Sequence, residues 1–269
     1  MKLDVGCEFD YETGAPTPAI FVVRPSAADP PQTLLGERWH AEPSAPYHDY
    51  TDLYGNECRR LTLASGRSRV RYDATVEVTD AEDAIDTDAK QASVDALPDD
   101  VLMYTLPSRY CLSDVLGDRA WELFAGTAPG WTRAQAICDF VHGHVAFGYG
   151  SSTPMTTAVE VFESRAGVCR DYAHLAIAFM RAMNIPARYV FGYLPDIDVP
   201  PPYPPMDFCA WLEAYLEGRW WTFDPRNNER RKGRVVIARG RDALDVAMVT
   251  TFGTAILHEM IVRADRSAA

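Results

Sequence analysis

No run of about eighteen apolar residues occurs in the chain, so the pattern offers no membrane-spanning helix. Met1 to Asp10 lacks the apolar stretch of a secretory leader, so no signal peptide is expected and the chain reads as cytoplasmic. Basic residues are scarce: 26 Lys and Arg stand against 38 Asp and Glu, for a net charge of −12. Nucleic acid and anionic membranes are held by basic patches, so neither is expected as a partner. The six cysteines (7, 58, 111, 138, 169 and 209) form no C-x-x-C pair. That spacing signals neither a zinc ribbon nor a dense disulfide scaffold, and no cofactor or metal is expected. Internal repeats are absent as well. What remains is 269 residues, 47% hydrophobic and 24% charged, enough for one large domain or two ordinary ones.

The first eighty residues read as β. Ala19 to Val23 is a short apolar strand, and Asp52 to Glu57 has the Gly and Asn of a hairpin turn. Between Arg67 and Val78, residues Ser68, Val70, Tyr72, Ala74, Val76 and Val78 alternate onto one face. Strands at this spacing predict a sandwich. Residues 80–100 hold eight acids and almost no large apolar groups, which reads as a solvated linker or long loop. From there the pattern is mixed. Helices are predicted over Ala134–Val145, Thr157–Glu163 and Cys169–Met183, the last apolar nearly all round and therefore buried. A strand follows at Ala187–Leu194, and five prolines in residues 198–205 make a stiff extended loop.

The most telling stretch is Gly167-Val168-Cys169-Arg170-Asp171-Tyr172-Ala173-His174, where a loop turns into that buried helix. Helix N-termini expose unpaired N–H groups and carry partial positive charge. A thiolate there is stabilised, and its pKa can fall from about 8.5 into the range of roughly 3.5–7.5. Cysteine nucleophiles are built this way.

A second constellation follows from a hairpin. If Glu217-Gly218 is a two-residue turn, Leu216 faces Arg219, Tyr215 faces Trp220 and Trp211 faces Asp224. Period-two alternation then puts Cys209, Trp211, Glu213 and Tyr215 on one face with Trp220, Thr222 and Asp224. Phe208, Ala210, Leu212 and Phe223 turn toward a core. Cys209 and Asp224 become diagonal neighbours, about 7–8 Å apart.

Residues 158–228 resemble the transglutaminase-like superfamily, with its papain-like Cys-His-Asp arrangement. The matching blocks are Ser164 to Asp171, Asn184 to Tyr193, Ala210 to Tyr215 and Phe223-Asp224-Pro225. The likeness extends more weakly to Leu106–Cys111 and Gly240–Ala243, as in bacterial members regarded as cysteine proteases with a β-rich N-terminal domain. The resemblance implies that Cys169 is the nucleophile and Asp224 the orienting acid, with a protein or peptide amide as substrate. It maps the family's histidine onto Cys209. Tyr149, twenty residues before the nucleophile, is the candidate oxyanion donor; its bland alternative is an aromatic on the cleft wall.

Cys209 has several readings: a neutral replacement in a retired site, a reversible disulfide partner of Cys169, or part of a slow enzyme. Other histidines do not fill the gap. His174 lies about 500° around the helix from Cys169 and points elsewhere, and His142 and His144 diverge from one another. The expected protein is therefore α+β: an N-terminal β-sandwich-like domain (1–79), an acidic connecting segment (80–115), and a papain-like transglutaminase core (116–269). Its expected activity is cysteine acyl transfer on amide bonds, as peptidase, amidase or transamidase, with a binding or scaffold protein as the alternative.

Overall fold

The computed structural model describes residues 1–27 and 32–267. Six strands open the chain: β1 (Lys2–Thr13), β2 (Thr17–Phe21), β3 (Thr33–Glu42), β4 (Tyr47–Thr51), β5 (Glu57–Leu63) and β6 (Gly66–Glu77). The alternation in β6 does what it predicts, burying Ser68, Val70, Tyr72, Ala74 and Val76. The turn between β4 and β5 is built by Asp52, whose Oδ1 accepts from the N–H groups of Tyr54 and Asn56, both at 2.8 Å. Phe21 seals two sheets together, with its ring 5.8 Å from Phe9 and 5.5 Å from Trp39. The result is the expected sandwich.

The sandwich is completed from the far end of the chain. After it come α1 (Asp99–Leu102), α2 (Gly117–Phe124), α3 (Trp131–His144), β7 (Ala146–Phe147), α4 (Ala158–Ser164), β8 (Ala166–Gly167), α5 (Cys169–Ala182) and β9 (Ala187–Tyr193). The last five strands are β10 (Cys209–Leu216), β11 (Arg219–Phe223), β12 (Val235–Gly240), β13 (Val249–Thr251) and β14 (Ala255–Arg266). The two sandwich sheets run β14-β1-β6-β3 and β13-β2-β5-β4. The sequence pattern groups 116–269 into one unit, but β14 pairs antiparallel along β1, from Leu3↔Arg266 to Thr13↔Ala255, and β13 pairs with β2. Generic backbone hydrogen bonding does not say which distant strand will fill an open edge.

Residues 80–100 also behave differently from a free linker. They are a long loop with little regular structure, as expected, but tied down. Lys90 and Glu217 exchange hydrogen bonds at 2.9 Å, and Gln91 Nε2 donates to the carbonyls of Met183 and Asn184 at the end of α5. The Asp83 carboxylate reaches Arg234 at 2.9 Å.

The third four-stranded sheet, β11-β10-β9-β12, is antiparallel and carries α5 against it. Every residue of α5 from Asp171 to Arg181 is buried, as its all-round apolar sequence predicts. Phe179 is the hub, its ring 5.5, 5.9 and 5.8 Å from those of Phe124 (α2), Phe140 (α3) and Phe162 (α4). Arg181, though charged, is buried because its guanidinium donates to the carbonyls of Ala187, Leu106 and Arg241. At the sheet centre, Gly192 is opposite Cys209. A Cβ there would lie against the Val235 carbonyl oxygen and 2.8 Å from Trp211 Cη2, so only glycine lets the indole lie on the strand.

Candidate active site

Cys169 is the first residue of α5, and its neighbours explain why a helix begins there. Val168 is the extended N-cap residue, and Asp171 at the third helical position accepts the Val168 N–H at 2.8 Å. The fully buried Asp171 carboxylate also accepts from Ser152 Oγ and, at 3.0 Å, from Arg170 Nη2. Gly167 is required by the same contact: a Cβ at 167 would stand 2.7 Å from Asp171 Cβ. Arg170 is therefore committed to Asp171 and to the Thr153 carbonyl at 2.7 Å. The cation that lowers the Cys169 pKa is Arg226.

The Cys169 sulfur is half-buried in a cleft of about 190 Å³. Its walls include Tyr149, Leu194, Asp207, Cys209 and Arg226, and the proline loop closes one side through Pro204 and Pro205. The Cys209 thiol donates to Cys169, and this lowers the Cys169 pKa against the upward push of burial. A backbone hydrogen bond from Ala210 and the charge of Arg226 act in the same direction, and the net shift is downward. Cys209 moves the opposite way. Its bond to Cys169, its burial and the nearby charges of Cys169 and Asp224 raise its pKa well above the ordinary thiol value. Of the two thiols, negative charge is thus favoured on Cys169 at the helix N-terminus, and Cys209 is the one that keeps its proton.

The hairpin has the register that the turn dictates: Leu216↔Arg219, Tyr215↔Trp220 and on to Leu212↔Phe223. Glu217 and Gly218 take positive φ of 50° and 76°, the turn that a two-residue loop needs. Asp224 follows directly and is buried, and its charge stabilises the Cys209 thiol against ionisation. Its carboxylate is engaged elsewhere. Arg234 Nη2 donates to Oδ2 at 2.9 Å, Asn227 Nδ2 to the same oxygen at 2.8 Å, and Asn227 N to Oδ1 at 3.0 Å. Burial raises the Asp224 pKa, but Arg234 and Asn227 outweigh it and hold the carboxyl below its usual range.

Tyr149 lines the cleft beside Cys169, exposed and set edge-on to Phe147 at 5.3 Å. Parallel pairing of β7 with β8, Phe147↔Gly167, brings that segment toward Cys169. His174 is fully buried and stacked between Tyr110 and Tyr189, each 5.1 Å away, and its Nε2 accepts the Ala243 N–H at 3.1 Å. Burial, reinforced by Arg170 and Arg181, keeps its pKa well below the usual imidazole value, so the ring is neutral. His142 and His144 turn to different carbonyls, those of Arg226 and Phe162. Asp207 and Arg226 are the cleft groups that sequence reasoning missed. Burial raises the Asp207 pKa. Both residues sit next to motif positions, Asp207 two before Cys209 and Arg226 two after Asp224, which was the available signal. Among the described residues, no group of three or more His, Cys, Asp or Glu side chains is disposed to hold a metal ion.

A thiol at a buried helix N-terminus faces the first residue of an antiparallel strand whose hairpin partner runs into Asp224-Pro225, an arrangement that fits a transglutaminase-like fold. Residues 119–225 match the family model of the transglutaminase-like superfamily. The crystal structure of a proposed cysteine protease from Cytophaga hutchinsonii is 32% identical, with a TM-score of 0.91 over 100% of this chain and 91% of that one. An uncharacterized protein of Mycobacterium leprae is 24% identical over 80% of this chain and 79% of its own length. One from Mycobacterium tuberculosis is 41% identical over 50% of this chain, which spans 46% of that relative. The chain belongs to the transglutaminase-like superfamily.

Proposed function

We propose that the protein is a cysteine acyl-transfer enzyme acting on amide bonds through Cys169, with Cys209 where the family's histidine is expected. The observation that carries this reading is the Cys169 thiol: it opens α5, faces a cleft, and has its pKa lowered by a hydrogen bond from Cys209. The thiolate attacks the amide carbonyl carbon, and the oxyanion forms near the free N–H groups of the first helical turn. The Tyr149 hydroxyl is the second candidate donor. The carbon–nitrogen bond then breaks, the amine leaves with a proton, and the acyl group stays on Cys169 as a thioester. Water or an amine attacks that thioester and restores the thiolate. The leaving amine needs an acid, and Asp207, whose pKa burial raises, is the candidate in the cleft.

A second reading is a binding protein that keeps the cleft without turnover. It is favoured by Cys209, whose raised pKa keeps it protonated and so unable to take the Cys169 proton, and by the commitment of Asp224 to Arg234. Intact-mass spectrometry separates the two. An enzyme gains an acyl adduct on Cys169 from a glutamine-containing peptide or an activated ester, then loses it to water or an added amine. Cys169→Ala gains none. An adduct that forms only from the activated ester and never turns over supports the binding reading and defeats the first.

A further inference from the structure

A cavity of about 600 Å³, walled by the 78–84 segment, the β10–β11 hairpin and the 231–239 stretch, carries an unusual composition for so acidic a protein. Arg188, Arg219, Arg231, Arg234 and Arg239 all line it. Three of the guanidiniums lie on indoles that line the same cavity: Arg188 over Trp220 at 4.1 Å, Arg219 over Trp221 at 4.1 Å and Arg234 over Trp211 at 4.9 Å. Stacking holds each planar cation flat; Arg188 and Arg234 turn edge donors to carboxylates, while Arg219 has no ion pair among the described residues.

The carboxylates among the described lining residues are already in use. Glu82 pairs with Arg230 at 2.9 Å, Asp83 with Arg234 at 2.9 Å, and Glu213 with both Arg188 and Arg239, at 2.6 and 2.9 Å. Donors remain unmatched. Arg219 makes no ion pair among the described residues, and the buried Arg231 Nε and Arg234 Nη1 have no hydrogen-bond acceptor. The space falls in the usual range of small-molecule sites, roughly 300–1,000 Å³.

We propose that this cavity is a binding site for a small organic anion bearing a phosphate or carboxylate group, held by arginine forks against tryptophan walls. A guanidinium pairs such a group through two parallel hydrogen bonds, and an indole face accepts the ligand's planar or apolar part. The site is separate from the thiol cleft, although Arg231 lines both.

Tryptophan fluorescence of the full chain at constant ionic strength tests this, with inorganic phosphate, pyrophosphate and citrate as probes and calorimetry as a second readout. Saturable binding is expected, and the tighter of the phosphate and citrate arms identifies the anionic group. Arg219 is exposed, so Arg219→Ala should fold normally and weaken binding about tenfold or more. Thr222→Glu places a carboxylate on the cavity wall and should abolish it. Arg266→Ala, on the edge strand β14, should change nothing. Absence of saturable response to all three probes up to about 10 mM overturns the proposal, as does binding unaffected by both Arg219→Ala and Thr222→Glu.

Discussion

Asp224 and Arg234 form a buried ion pair at 2.9 Å, and Arg234 carries the link onward to Asp83 at 2.9 Å. The three residues come from the acidic connecting loop, the end of the β10–β11 hairpin and the entry to β12. The carboxylate expected to orient an imidazole therefore has a cation of its own.

Because that pair is buried, Asp224→Asn removes one of the two carboxylates that compensate Arg234 and leaves only Asp83. Breaking a buried pair from one side costs roughly 3–5 kcal/mol. Arg234 keeps Asp83, so urea denaturation should show a loss at the lower end of that range. A loss under about 1 kcal/mol, the level of an ordinary surface change, would show that Arg234 has other means of compensation.

The thiols should titrate apart. Cys169 has its pKa lowered and Cys209 has it raised, so alkylation by iodoacetamide should report Cys169 first as pH rises, with an inflection below that of an ordinary thiol. Cys209→Ala removes the hydrogen bond to the thiolate and should move the inflection upward. Peptide mapping at pH 6.5 makes the comparison: labelling of Cys169 no faster than that of Cys58 in unfolded protein would contradict the assignment of Cys169 as the activated thiol.

Cys209→His should raise Cys169-dependent turnover. An imidazole there would take the Cys169 proton and hold it as an ion pair. General-base assistance is worth roughly 10²–10⁴ in rate, and the lower end is expected because Asp224 is shared with Arg234. The double variant with Cys169→Ala must be inactive. A folded Cys209→His protein with unchanged alkylation and no turnover of glutamine-containing peptides would favour the binding reading.

Glu213 gives the clearest acid sensitivity. Burial raises its pKa, yet Arg239 and Arg188 outweigh burial and bring it down to about 2. A carboxyl whose folded pKa is depressed contributes stability that is fully present above its unfolded value, about 4.3. That contribution is lost as pH falls from there toward 2, and is on the order of 3 kcal/mol. Glu213→Gln should be destabilised at neutral pH and should lose this part of the acid slope in denaturation midpoints measured between pH 5 and pH 2. An unchanged slope would assign acid sensitivity to other carboxyls.

The sequence by itself determined the features that neighbouring residues enforce. The start of α5 follows from Gly167, Val168 and Asp171, whose backbone and carboxylate close on one another within five positions. The hairpin register follows from a two-residue turn and a period of two, because one slip would have moved every side chain to the other face. Tertiary structure alone decided what lies far apart along the chain. The pairing of β14 with β1 joins the two ends, and strand edges accept any extended partner, so local pattern cannot select it. The partner of Asp224 was likewise invisible: long arginine side chains reach several carboxylates equally well in a sequence, and only the folded positions of residues 83, 224 and 234 made this choice. The same physics gathered five arginines from three strands and a loop around one cavity inside an acidic protein.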